Sequence, residues 1–167
     1  SEIRTMVIHN HGDNDLVWSL PFGRGLRSET VYEFTNCGQE GSFGPTQEMC
    51  DEVYAGTDLE GLVTVNDGIQ EISLLGRSYN IEVSGAQGGN YYSYVGGKGA
   101  IVSGDIYLNS VRILVGQRGG SEPGGGGGGT FVVQPPYDSN SSILVIAGGG
   151  AGYNPSSYDQ SWEASQG

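Results

Sequence analysis

Six consecutive glycines, Gly124, Gly125, Gly126, Gly127, Gly128 and Gly129, constrain this chain more than any other stretch. Glycine loses more conformational freedom on folding than any other residue, so such a run is disordered unless its surroundings impose order. The surroundings here are strand-like. Val111 to Val115 precedes the run, Phe131 to Val133 follows it, and a second run, Gly148, Gly149 and Gly150, follows Ile143 to Ala147. A flexible linker would be mixed with serine and would lie between domains. The run is therefore read as packed structure. Polyglycine can adopt an extended threefold helix like polyproline II, and without Cβ atoms several such helices can lie side by side, bonding N–H to C=O between chains. Valine at Gly126 or at Gly127 is expected to disrupt that packing, because a Cβ holds the backbones apart.

The rest of the composition sets the limits. A chain of 167 residues with 31 glycines allows one domain of ordinary size with a lean core. A formal charge of −12, with only 7 basic residues, argues against nucleic acid and anionic membrane surfaces, both polyanions, and leaves cations, mineral surfaces and basic proteins as partners. No apolar run approaches the roughly 20 residues needed to span a bilayer. The N-terminus SEIRTMVIHN lacks the apolar core of a signal peptide, so the chain is expected to be processed or cut from a larger one. Cys37 and Cys50 are consistent with one disulfide, while a reduced pair would suit a cytosolic protein. Asn140-Ser141-Ser142 is a glycosylation sequon in a polar loop.

Residues 1–31 read as an extension of unknown fold. His9 and His11 stand beside Asp13 and Asp15, but two histidines are too few for a closed site, so a solvated turn is expected and no metal. Leu16 to Phe22 is apolar enough to dock on a neighbour, and the basic stretch from Arg24 to Arg27 is read as an exposed loop rather than a cleavage site. From Tyr32 the pattern alternates as an edge strand would. Pro45 at a first helical position, Glu48 in the first turn and Gly56 as a stop predict a short helix. Asn66-Asp67-Gly68 predicts a hairpin turn between Leu62–Val65 and Ile69–Leu74. Ser78 to Gly85 alternates cleanly as a half-buried strand, followed by a glycine and tyrosine loop. Ala100 to Leu108 predicts a strand interrupted at Gly104 by a bulge or bend, ending in a turn at Asn109-Ser110. Short strands at this spacing imply an antiparallel sandwich or jelly roll.

Catalytic chemistry finds no support in these residues. Lys98 is followed by Gly99, with no Ser or Thr and no helix pattern after it, so the glycines do not form a phosphate loop. Neither histidine sits near a nucleophile elbow, and nothing selects a catalytic pair of carboxylates. No cofactor is expected. Tyr91, Tyr92 and Tyr94, with Tyr153 and Tyr158 beside the later glycines, would form a partner-facing surface or pack the ends of glycine helices.

Five motifs occur here in a recognisable order: FTNCGQEGSFGPTQEMC, YNIEVSGAQGG, VRILVGQRGG, the glycine run with TFVV, and SILVIAGGGAG. From about Tyr32 to Gly152 the chain resembles the extracellular glycine-rich region of the anaplastic lymphoma kinase and leukocyte tyrosine kinase receptors. The resemblance implies a jelly-roll sandwich similar to tumour necrosis factor, with an inserted subdomain of packed polyglycine helices. It also implies a Cys37–Cys50 disulfide and a surface that binds small basic cytokines. Ser1 to Val31 departs from the family pattern, and the family's later glycine runs and closing strands do not follow, so a second polypeptide or a second piece of the same precursor is expected to complete the fold.

The expected division is an extension over 1–31, a β-sandwich with a disulfide-stapled helix over 32–119, and the first part of a glycine-rich subdomain over 120–167. The expected function is that of a non-catalytic extracellular scaffold or matrix module, biomineral-associated or not, that binds proteins. The alternative is the ligand-binding part of a receptor kinase of the resembled family, for which the negative charge would suit a basic ligand.

Overall fold

The computed structural model describes residues 5–8, 30–121 and 124–153. His9, His11, Leu16 to Phe22, Arg24 to Arg27 and Tyr158 lie outside these residues. The strands are β1 (Thr5–Ile8), β2 (Val31–Phe34), β3 (Val63–Asn66), β4 (Ile69–Ser84), β5 (Ile101–Leu114), β6 (Thr130–Val133) and β7 (Ile143–Ala147). One α-helix, α1 (Gln47–Tyr54), lies between β2 and β3, and Asn140–Ser142 forms a 3-10 turn before β7.

The strands make one mixed sheet in the order β2-β1-β4-β5-β6-β7, with β3 on the far half of β4. Turn spacing predicts antiparallel pairing throughout, but β1 runs parallel to both β2 and β4, with Met6 opposite Tyr32 and Ile81. Residues 1–31 carry no legible fold in sequence, yet four of them form the strand between β2 and β4. Its burial explains the position: Met6 and Ile8 are fully enclosed beside Phe34, Ile81 and Val83.

β5 runs without interruption through Asn109-Ser110, so the turn expected there is absent. The register is also continuous from Ile101 to Leu108, so no bulge lies at Gly104. The irregularity falls instead between Ser73 and Arg77 of β4. Across it the buried positions change phase, from Gln70, Ile72 and Leu74 to Tyr79, Ile81 and Val83. Extra residues in one strand bend it sharply, and the hairpin doubles back here. Thr130 Oγ1 shows the result: it donates to Ser84 O at the end of β4 (2.7 Å) and accepts from Gly116 N just beyond β5 (3.0 Å). Ser84 is paired with Ile101, so both ends of β5 reach the same place. Val111, Ile113 and Val132 from one half of the sheet thereby share a core with Phe34, Ile81 and Leu108 from the other.

Helix α1 starts after Thr46, whose Oγ1 accepts from Met49 N at 3.3 Å, so Pro45 precedes the cap and does not occupy the first helical position. Glu48 stands in the first turn, where the helix dipole favours an acid. Gly56, at φ +77, ends the segment. Cys50 of the helix is bonded to Cys37 beyond β2, with Cα atoms 5.0 Å apart. That bond closes a loop of 13 residues and stabilises by roughly 3 kcal/mol in the chain-entropy model.

Candidate functional site

Five glycine-rich segments, 85–90, 96–100, 116–120, 124–129 and 148–153, continue from strand ends and lie against one another as a block. Segment 85–90 is its axis. Gly85 N donates to Ala100 O (2.9 Å), Ala86 N to Gly128 O (2.9 Å) and Gly89 N to Gly125 O (2.7 Å). Gly119 N donates to Gln87 O (3.0 Å) and Gly150 N to Ala86 O (2.8 Å), so the axis is bonded to all four other segments. Those four are also bonded in turn: Gly97 N to Ala151 O, Gly127 N to Gly150 O, and Gly128 N to Gln117 O.

Contact between these backbones is too close for side chains. A Cβ on Gly85 would lie 2.0 Å from Gly148 O, and one on Gly150 would lie 1.9 Å from Gly97 O. Close contacts occur in pairs at a spacing of three: Gly85 and Gly88, Gly96 and Gly99, Gly116 and Gly119, Gly124 and Gly127, Gly149 and Gly152 each have neighbouring backbone within 2.4 Å of a built Cβ, and Gly89 and Gly150, next to two of these, are closer still at 1.8 and 1.9 Å. Other positions are freer. Gly126 has its nearest neighbour at 3.8 Å, Gly148 has none within 4 Å, and Gly125, Gly128 and Gly129 stand between, at 3.0–3.3 Å.

The two runs singled out in sequence thus meet in one block, but they are not its centre. The axis and segment 96–100 come from the stretch that reads as a glycine and tyrosine loop. The signal for them was present: Gly85/Gly88, Gly96/Gly99 and Gly116/Gly119 are spaced by three in the sequence itself. Segments 85–90 and 96–100 lie before residue 120 and segment 116–120 ends on it, with β5 and β6–β7 intervening among the five, so the block is not contiguous along the chain.

Tyrosines gather where segments 85–90 and 96–100 turn into each other. Tyr91 and Tyr94 exchange backbone hydrogen bonds at 3.0 Å, and Tyr92 between them is held at φ +50, 84% exposed, its ring edge-on to Tyr91. Tyr94 stacks on Tyr153, ring centroids 4.5 Å apart, and Tyr91 stacks on the same ring at 6.5 Å. Tyr94 and Tyr153 therefore stack at the end of the block, with Tyr94 still half exposed, while Tyr92 is presented to solvent. Asn140 is exposed at the start of its 3-10 turn.

A depression of about 370 Å³ lies between Phe43–Gln47 and the β3–β4 turn. Among the described residues no three His, Cys, Asp or Glu side chains converge as a metal site, and no helix is long and apolar enough to cross a membrane. No model of a known protein family matches the chain, and a search of the curated proteins finds no relative.

Proposed function

We propose that this chain is a non-catalytic, extracellular structural module that works by binding other proteins, as a scaffold or matrix component. The observation that carries the reading is the axis segment 85–90, bonded through its backbone to four neighbours. Close contacts paired at a spacing of three in each segment fit polyglycine helices of the polyproline II type, which have three residues per turn. Such a block is stiff because every close position excludes a side chain, and it holds the strand ends and the Tyr92 ring in fixed relation. The doubled-back sheet fits a jelly roll similar to tumour necrosis factor, and both features fit the glycine-rich region of the receptor family that the motifs resemble. The Cys37–Cys50 disulfide suits an oxidising compartment. The partners are proteins, including a polypeptide or precursor piece that completes the sheet, with a mineral surface as a further substrate for assembly.

A second reading, the ligand-binding part of a receptor kinase of that family, is favoured by the charge of −12, which would speed encounter with a small basic cytokine. Light scattering and affinity measurements across a salt series separate the two. Ordered self-assembly at physiological salt supports the scaffold. Nanomolar binding of a basic cytokine that weakens steeply with salt, without self-assembly, supports the receptor.

A further inference from the structure

Among the described residues the core is open along one edge of the sheet. On β4, the inward side chains of Tyr79, Ile81 and Val83 are 2%, 2% and 0% exposed. Their direct partners on β5 are Ile106, Gly104 and Val102, which face the same core. Yet Val102 is 39% exposed, Ile106 is only partly covered, and a Cβ on Gly104 would meet nothing within 4 Å. Among the described residues β6 reaches β5 only at Arg112–Leu114, so the other edge of β5 along Ile101–Tyr107 carries no strand. Unpaired strand edges are templates for another strand.

We infer that Ile101–Tyr107 is a strand-addition site for an extended segment of a second polypeptide, apolar on its inward face and basic on its outward face. The inference rests on the interaction-module reading and locates its surface. Main-chain bonds to the edge would supply affinity, and side chains at every second position would supply selectivity. Inward side chains would cover Val102 and Ile106 and fill the space above Gly104. Outward ones would pass Asp105, which accepts from Asn80 Nδ2 at 2.9 Å, with Glu82 on the same face of β4. That face is acidic, and so is the chain as a whole, which favours Lys or Arg outward and disfavours a second copy carrying the same −12.

Amide hydrogen exchange on the full chain tests this, with a synthetic peptide alternating valine and lysine as the probe. A peptide of the same composition with its valines and lysines in separate blocks is the control. Exchange of the alternate amides of Ile101–Tyr107 that point away from β4 is expected to slow at least about tenfold with the alternating peptide and not with the control. Asp105→Lys, an exposed change, is expected to weaken the probe by about three- to tenfold at low salt. Protection of these amides without any peptide, equal protection by both peptides, or binding that leaves them unprotected would each overturn the inference. If Asp105→Lys chains still self-assemble as the unaltered chain does while the edge stays unprotected, the edge inference alone fails. If the edge is protected but nothing assembles, the scaffold reading alone fails.

Discussion

The Tyr54 hydroxyl donates to Gln70 Oε1 at 2.6 Å, deep under the helix, and so ties α1 to β4. Thr35 N donates to the same hydroxyl at 3.0 Å, and Gln70 Nε2 donates to Thr35 O at 2.7 Å. Three buried residues from a helix, the end of a strand and a second strand thus satisfy one another. Tyr54→Phe keeps the ring, which meets Phe34 edge-on at 6.3 Å, but leaves Gln70 Oε1 and Thr35 N without this partner. Leaving buried polar groups unpaired costs about 1–3 kcal/mol each, so denaturant unfolding is expected to show a loss of roughly 2–4 kcal/mol.

The same hydroxyl makes the fold sensitive to alkali. Burial pushes the Tyr54 phenol above its ordinary value of 10.0, outweighing its hydrogen bonds with Thr35 and Gln70, and the negative charge of Glu33 adds to the rise. A raised folded pKa means that the folded chain holds this proton more tightly. The contribution is complete below the unfolded value and is lost as pH climbs from about 10 toward the folded value. Unfolding free energy measured from pH 8 to 12 is expected to fall more steeply above about pH 10 in the unaltered chain than in Tyr54→Phe.

Legibility in the sequence followed the range of the forces involved. Asp67 and Gly68 sit at φ +49 and +76, the left-handed pair that a tight hairpin needs, and the three letters Asn66-Asp67-Gly68 announce it. The helix was legible for the same reason. Strand β1 was not, because Met6 finds its partners Tyr32 and Ile81 far along the chain, and a run of three apolar residues does not specify them. Asn109-Ser110 has the composition of a turn but stays in β5, since the ladder to β4 resumes at Ser110 opposite Ser73. In the block, six identical letters carry no internal pattern, so which glycines are close is decided by neighbours from three other segments.

Reducing the Cys37–Cys50 bond is expected to lower stability by roughly 3 kcal/mol, with the loss concentrated in α1. The bond and the Tyr54 network hold the same helix to the same strand end, since Cys37 lies two residues from Thr35, whose Oγ1 accepts from Cys37 N at 3.1 Å. The two changes should therefore not add. A cycle combining Cys50→Ser with Tyr54→Phe is expected to show a coupling of about 0.5–3 kcal/mol in denaturant titrations.

The sharpest test of the glycine block compares two adjacent residues. Valine was expected to be disruptive at either Gly126 or Gly127, but the structure separates them. A Cβ at Gly127 would lie 2.2 Å from Ala86 O on the axis segment, whereas one at Gly126 meets nothing nearer than Gly150 O at 3.8 Å. Gly126 is also exposed, and its φ lies outside the left-handed region that only glycine favours. Gly127→Val must push segments 85–90 and 124–129 apart, breaking bonds such as Ala86 N to Gly128 O. Each broken bond leaves backbone groups unpaired at about 1–3 kcal/mol, so a loss of roughly 3 kcal/mol or more is expected in thermal unfolding. Gly126→Val is expected to change stability by less than about 1 kcal/mol. Equal effects at the two positions would mean that the segments are not packed in this register, and with it the threefold reading of the block would fail.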